Sequence, residues 1–256
     1  MATDPAPVPA IDIQHLTVSY GPRPALLDVT LSVEPGRLVG IIGPNGSGKS
    51  TLIKAILGFV PRDFGTVRVF GQPVEEARGR IAYVPQRGSV DWDFPVTVGE
   101  VAMMGRYGRI PFWRNPAEED HRAVAEALEL VKMSDFRKRQ IGQLSGGQQQ
   151  RVFMARALAQ GADILLLDEP FAGVDAATER SLLEVLGRAR EAGRTLLVVH
   201  HDLATAARHF ERLILLNQRL YAYGPPAAVL SDDLLEEVYE GRLQSLGPRR
   251  APGGGA

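Results

Sequence analysis

A five-residue apolar run, Leu38 to Ile42, leads straight into Gly43-Pro44-Asn45-Gly46-Ser47-Gly48-Lys49-Ser50, and the chain then takes up the helical pattern Thr51 to Leu57. This octapeptide fits G-x-x-x-x-G-K-[ST], a spacing that acquires physical meaning only between a buried strand and a helix. The glycines let consecutive backbone N–H groups turn inward around phosphate oxygens, and the helix that follows adds the partial positive charge of its N-terminus. Lys49 is placed to reach the β- and γ-phosphates, and the Ser50 hydroxyl to hold Mg2+. Residues Gly43 to Thr51 are therefore the candidate phosphate-binding residues.

A strand feeding a helix through such a loop needs a sheet around it. Short apolar runs recur at Ile81 to Val84, Ile164 to Leu167, Leu196 to Val199 and Leu213 to Leu216, as expected of strands buried on both faces. Between them, Val124, Leu128 and Val131, and likewise Leu182, Leu186 and Ala189, recur at helical spacing. The alternation predicts an α/β fold, a mainly parallel sheet with flanking helices, and the phosphate-loop motif makes its core that of a P-loop NTPase. Ile11 to Tyr20, Ala25 to Val33 and Thr66 to Phe70 alternate as strands between Gly and Pro turns, which predicts an antiparallel β-subdomain. Residues 97–160 read as a helical subdomain inserted into the core. The folded domain is expected over 11–240, with a disordered N-terminus at 1–10 and a disordered tail at 241–256.

With 29 Lys plus Arg against 30 Asp plus Glu, the net charge is −1, which argues against a nucleic-acid partner held by bulk charge. No apolar run approaches the roughly twenty residues of a membrane span. The start of the chain lacks the pattern of a secretory signal, so a cytosolic location is expected. The absence of cysteine excludes disulfides and thiolate metal sites.

Two carboxylates, Asp168 and Glu169, close the apolar run Ile164 to Leu167. A buried strand of this kind delivers them to the carboxyl edge of the sheet, where open α/β folds bind ligands. Asp168 is suited to Mg2+, and Glu169 to polarising an attacking water. His200-His201-Asp202 has the residue types of a metal site, but adjacent residues at a strand end point to opposite faces.

Leu144-Ser145-Gly146-Gly147-Gln148 stands before the long helical stretch Gln149 to Gln160. With this pentapeptide, in the order phosphate loop, Gln86, signature, Asp168-Glu169 and His201, the chain resembles the ATP-binding subunits of ABC (ATP-binding cassette) transporters over essentially all of 11–240. The resemblance implies an ATPase whose cofactors are ATP and Mg2+. It implies a head-to-tail pair of chains, each ATP lying between one chain's phosphate loop and the signature of the other, where Ser145, Gly146 and Gly147 contact the γ-phosphate. It assigns Tyr20 to stacking on adenine, Gln86 to Mg2+ and the permease, Asp175 to a loop crossing the interface, and His201 to the γ-phosphate and the water. Catalytic roles then fall to Glu169, His201, Gln86 and Lys49, and metal ligation to Ser50, Gln86 and Asp168. His200 is left a structural role.

Implied partners are separate transmembrane permease subunits and, if the transporter imports, an extracytoplasmic solute-binding protein; the implied location is the cytoplasmic face of the membrane. The stretch Tyr83 to Val98, with Trp92 and Phe94, continued by Gly99 to Arg106, resembles the cassettes of manganese, zinc and iron importers. Iron-siderophore or cobalamin importers, and a soluble cassette ATPase serving cofactor assembly, are the alternatives. A DNA-repair cassette would need long coiled coils or zinc modules, for which this chain has neither room nor cysteines.

Overall fold

The computed structural model describes residues 8–86, 88 and 94–240. Residues 1–7 and 241–256, which contain most of the two ends expected to be disordered, lie outside them, as does Trp92. Ala10 is buried, its N–H donating to the Val33 carbonyl at 2.8 Å while its own carbonyl accepts from Phe70 at 3.1 Å.

Two sheets form. The smaller has four strands, β1 (Ile11–Tyr20), β2 (Arg23–Val33), β4 (Phe64–Val69) and β5 (Gln72–Pro73), in the order β2-β1-β4-β5, with every pairing antiparallel. The larger has six: β3 (Leu38–Ile42), β6 (Ile81–Val84), β7 (Ile164–Leu167), β8 (Thr195–Val199), β9 (Arg212–Asn217) and β10 (Arg219–Gly224), in the order β10-β9-β3-β8-β7-β6. Five of these strands run parallel, and β10 pairs antiparallel with β9 at the edge.

The apolar runs are continuous because both faces of the large sheet are covered. Along β7, Leu165 and Leu167 join one buried cluster and Ile164 and Leu166 the other; on β8, Leu196 and Val198 oppose Leu197 and Val199 in the same way. One face packs against α3 (Val98–Met104), α4 (Glu118–Leu130), α5 (Gly146–Gln160) and α6 (Ala176–Glu191). The other packs against α1 (Lys49–Ile56), α2 (Val74–Ala77) and the small sheet. Burying each of these Leu, Ile or Val side chains contributes roughly 1.5–3 kcal/mol, so a polar residue in any central strand would be costly.

The inserted helices start on sequence-encoded caps. Thr97 Oγ1 accepts from the Glu100 N–H, and the Glu100 carboxylate accepts from the Thr97 N–H at 2.7 Å, satisfying two end donors reciprocally. Gly161 ends α5 with φ +66°, a conformation glycine adopts without strain. No helix among the described residues is long and apolar enough to cross a membrane.

Candidate active site

The parallel register fixes where the chemistry collects. Ile41 is level with Val199, Leu167 with Val198, and Val84 with Leu167. The carboxyl ends of four neighbouring strands, β3, β8, β7 and β6, therefore emerge side by side. From them come, respectively, the loop Gly43 to Gly48, the pair His200-His201, the pair Asp168-Glu169, and Gln86.

The loop folds as its glycines allow. Gly43, Gly46 and Gly48 have φ of +149°, +74° and +98°. A Cβ on Gly43 would lie 2.0 Å from the Leu216 carbonyl oxygen, and one on Gly48 2.5 Å from that of Ala25. Here the requirement for glycine is steric as well as conformational. The β9–β10 hairpin braces the loop from outside: Gln218 donates to the Ser47 carbonyl at 2.8 Å and accepts from Leu27 at 2.7 Å. Ala25, Asn45 to Thr51 and Glu169 line a cleft of about 310 Å³. Ala25 was not foreseen from the sequence, since only the fold brings the second strand to the loop.

Lys49 is buried, and its Nζ donates to the carbonyls of Gly43 and Pro44, each at 2.9 Å. Burial pulls its pKa down, while the charges of Glu169 and Asp168 oppose that shift. Ser50 Oγ donates to Asp168 Oδ1 at 3.0 Å. Burial and the neighbouring Glu169 raise the Asp168 pKa, against the Ser50 bond and two lysines. A hydroxyl beside a buried, electrostatically stressed carboxylate is a hard oxygen donor set that suits Mg2+. Ser47 Oγ, buried without a hydrogen-bond partner, adds an unsatisfied polar group to the same loop.

Glu169 sits in the left-handed region at φ +49°, which costs a residue with a Cβ about 1–2 kcal/mol. In this turn its Oε2 accepts from Gln86 Nε2 at 2.8 Å. The two histidines diverge as their positions at a strand end dictate. His200 is buried with its ring edge-on to Phe171 at 5.4 Å, its Nε2 makes no hydrogen bond, and burial lowers its pKa to about 4. His201 is exposed, and Asp202 behind it caps α7 (Leu203–His209) by accepting from the Thr205 N–H. Tyr20, at the end of β1, is also exposed.

The signature lies apart, since none of its residues lines the cleft. Leu144 is buried; Ser145 caps α5, accepting from Gln148 N–H, while the Gln148 side chain accepts from Ser145 N–H at 2.9 Å. Gly147 is close-packed against Thr178, whose methyl would be 3.2 Å from an added Cβ. Asp175 holds Thr178 in turn, accepting from its N–H at 2.9 Å and its hydroxyl at 2.8 Å. This contact between the signature turn and the start of α6 was not foreseen; the only sequence cue is an Asp-x-x-Thr cap.

Set beside known families, residues 26–172 match the model of the ABC transporter family. The chain belongs to that family. It is 53% identical to the manganese transport system ATP-binding protein MntB of Bacillus subtilis, over 92% of this chain and 94% of the relative. It is 49% identical to the zinc transport system ATP-binding protein TroB of Treponema pallidum, over 97% and 94%. Its fold matches a solved ATP-binding cassette of an ABC transporter in the ADP conformation, with a TM-score of 0.78, 29% identity and coverage of 91% of this chain and 99% of the other. The expected α/β architecture and the ATPase assignment both hold for this ABC protein, and the antiparallel edge strand β10 is the addition that the sequence reading lacked.

Proposed function

We propose that this ABC ATPase binds Mg-ATP between the phosphate loop of one copy and the signature of another, and that its hydrolysis drives import of a divalent transition metal, manganese or zinc first, through separate permease subunits. The observation that carries the composite site is the separation within one chain. Lys49, Ser50 and Glu169 share a cleft, whereas the Ser145 turn has its own helix start elsewhere. A helix N-terminus with exposed Ser145 suits a γ-phosphate supplied by the second copy.

In this reading the loop N–H groups and Lys49 hold the β- and γ-phosphates, and Tyr20 stacks on the adenine. Ser50 and Asp168 hold the metal, with Gln86 beside them. Bound there, Mg2+ supplies charge neutralisation to the phosphate oxygens. Glu169, fixed by Gln86, orients the attacking water and draws off its proton; His201 steadies the γ-phosphate. Water oxygen bonds to the γ-phosphorus as the bond to the β-bridging oxygen breaks, giving ADP and phosphate. Asp175 stands on the face that meets the second copy. The pair closes on ATP and reopens after hydrolysis, moving the permease through the segment after Gln86. A solute-binding protein on the far side of the membrane, and a place on the cytoplasmic face, belong to the same reading.

The cargo rests on the names of the relatives, manganese and zinc transport systems, which favour a metal ion over a siderophore or cobalamin. Deleting the gene should lower cellular manganese or zinc in metal-poor medium, and a copy carrying Glu169→Gln should not restore it. Unchanged manganese, zinc and iron in washed deletion cells, by mass spectrometry, would overturn the cargo and leave the ATPase standing.

A further inference from the structure

The loop from Arg106 to Ala117, between α3 and α4, combines rigidity with apolar exposure. Phe112 is 95% exposed and Trp113 72%, their rings edge to face at 4.8 Å, and Tyr107 of the same loop is also exposed. The loop is tied down at both ends. Arg106 Nε donates to the buried Asp120 Oδ1 at 2.8 Å and its Nη1 to the Ala159 carbonyl at 3.1 Å. Arg109 Nη2 donates to the Gly161 carbonyl at 2.8 Å, and Asp120 Oδ2 accepts from the Ala117 N–H at 2.9 Å. Two large aromatic side chains held outward on a pinned turn are an apolar surface that a monomer in water gains nothing by displaying.

Within the loop itself the charges have one sign. No acid occurs from Val101 to Ala117, while Arg109 and Arg114 are exposed there. Arg137 and Lys138 line a shallow groove with Tyr107, and Glu100 lines it too. The nearest acids are engaged or set back. Glu100 is held in the Thr97 cap, Glu118 and Glu119 sit in the first turn of α4, where the helix end favours them, and Asp135 lies on the turn before Arg137. Aromatic residues interleaved with arginine are the composition of surfaces that settle at the headgroup level of a bilayer.

We propose that this loop seats on the anionic inner surface of the membrane, Phe112 and Trp113 entering the headgroup region while Arg109, Arg114, Arg137 and Lys138 meet lipid phosphates. The inference rests on the reading of the chain as a transporter subunit and gives that subunit a lipid contact of its own, independent of the cargo. The chain has two tryptophans, so Trp92→Phe leaves Trp113 as the sole reporter. Full-length protein carrying that change, with Mg-ATP, should sediment with vesicles of phosphatidylglycerol and phosphatidylcholine but not with phosphatidylcholine alone. Its emission should shift to the blue, and about 0.5 M salt should release it. Phe112→Ser with Trp113→Ser, in the otherwise unaltered chain, should weaken vesicle binding at least about tenfold and leave the ATPase rate in solution unchanged. Arg109→Gln with Arg114→Gln should weaken it too. Failure to bind anionic vesicles, or equal binding by the aromatic double variant, would overturn the proposal. So would a loop that ignores vesicles yet is needed for co-purification with permease in detergent, since the occupant would then be protein. A failed cargo test would leave these outcomes unaffected.

Discussion

Gln86 Nε2 donates to Glu169 Oε2 at 2.8 Å, joining the ends of the neighbouring strands β6 and β7. The carboxylate proposed to handle water is thus held by the residue that opens the segment leading to α3.

Replacing that carboxylate by an amide, Glu169→Gln, keeps the side-chain size and removes the basic oxygen. ATP binding should persist, while turnover falls by about two orders of magnitude or more. Steady-state phosphate release alongside nucleotide binding checks this, and a parental rate in the variant would reject the role given to Glu169.

A composite site makes a complementation test possible. Lys49→Ala spoils one chain's loop and Ser145→Arg the other chain's signature, so each variant alone should be nearly inactive. Mixed, they form pairs with one intact site, and activity should recover to about a quarter of the parental rate if pairing is random and sites fire independently. Full activity from a preparation shown by light scattering to be monomeric would contradict the shared site.

Gly48→Ala brings a Cβ to 2.5 Å from the Ala25 carbonyl oxygen at φ +98°. The loop must shift, so ATP affinity should fall about tenfold or more, and stability by about 2 kcal/mol. Urea unfolding and nucleotide titration would separate the two effects. Gly79→Ala, where a Cβ meets nothing within 4 Å, serves as control.

His200 couples folding to acid. Burial lowers its pKa from 6.5 to about 4, so between those values the unfolded chain takes a proton that the folded chain refuses. Stability is therefore full above pH 6.5 and is lost as pH falls towards 4, by about 2 kcal/mol at about pH 5. His200→Phe, set between Phe171 and Phe210, should flatten this part of the curve. An equal fall in the urea midpoint for both proteins between pH 7.5 and 5 would show that another group is responsible.

The central strands were legible because burial on both faces keeps their apolar runs unbroken. Strand β10 was not. Its residues, Arg219 to Gly224, are only partly buried or exposed, and its hairpin turns through Gln218 at φ +59° instead of through a glycine. The missing strand concealed the brace it places behind Ser47. Of the site, Lys49, Ser50 and Asp168 could be placed from position, since each follows a recognisable strand, and so could the divergence of the adjacent His200 and His201, whereas the role given to His201 came from the family resemblance. The Gln86–Glu169 bond could not, because the two lie 83 residues apart and only the order of strands in the sheet makes them neighbours.

Gly147 faces Thr178 with little room for a larger residue, and Asp175 holds that same threonine, so the signature turn and the start of α6 are neighbours. A tilt large enough to engage a phosphate on another chain would press on Thr178 and strain the cap that starts α6. The corner bearing that cap is Phe171 to Asp175, continuous with Glu169 of the chain's own cleft. In the head-to-tail pair proposed above, a shift of the signature would thus be felt at the start of α6 and, through the corner Phe171 to Asp175, at Glu169 of the same chain's cleft.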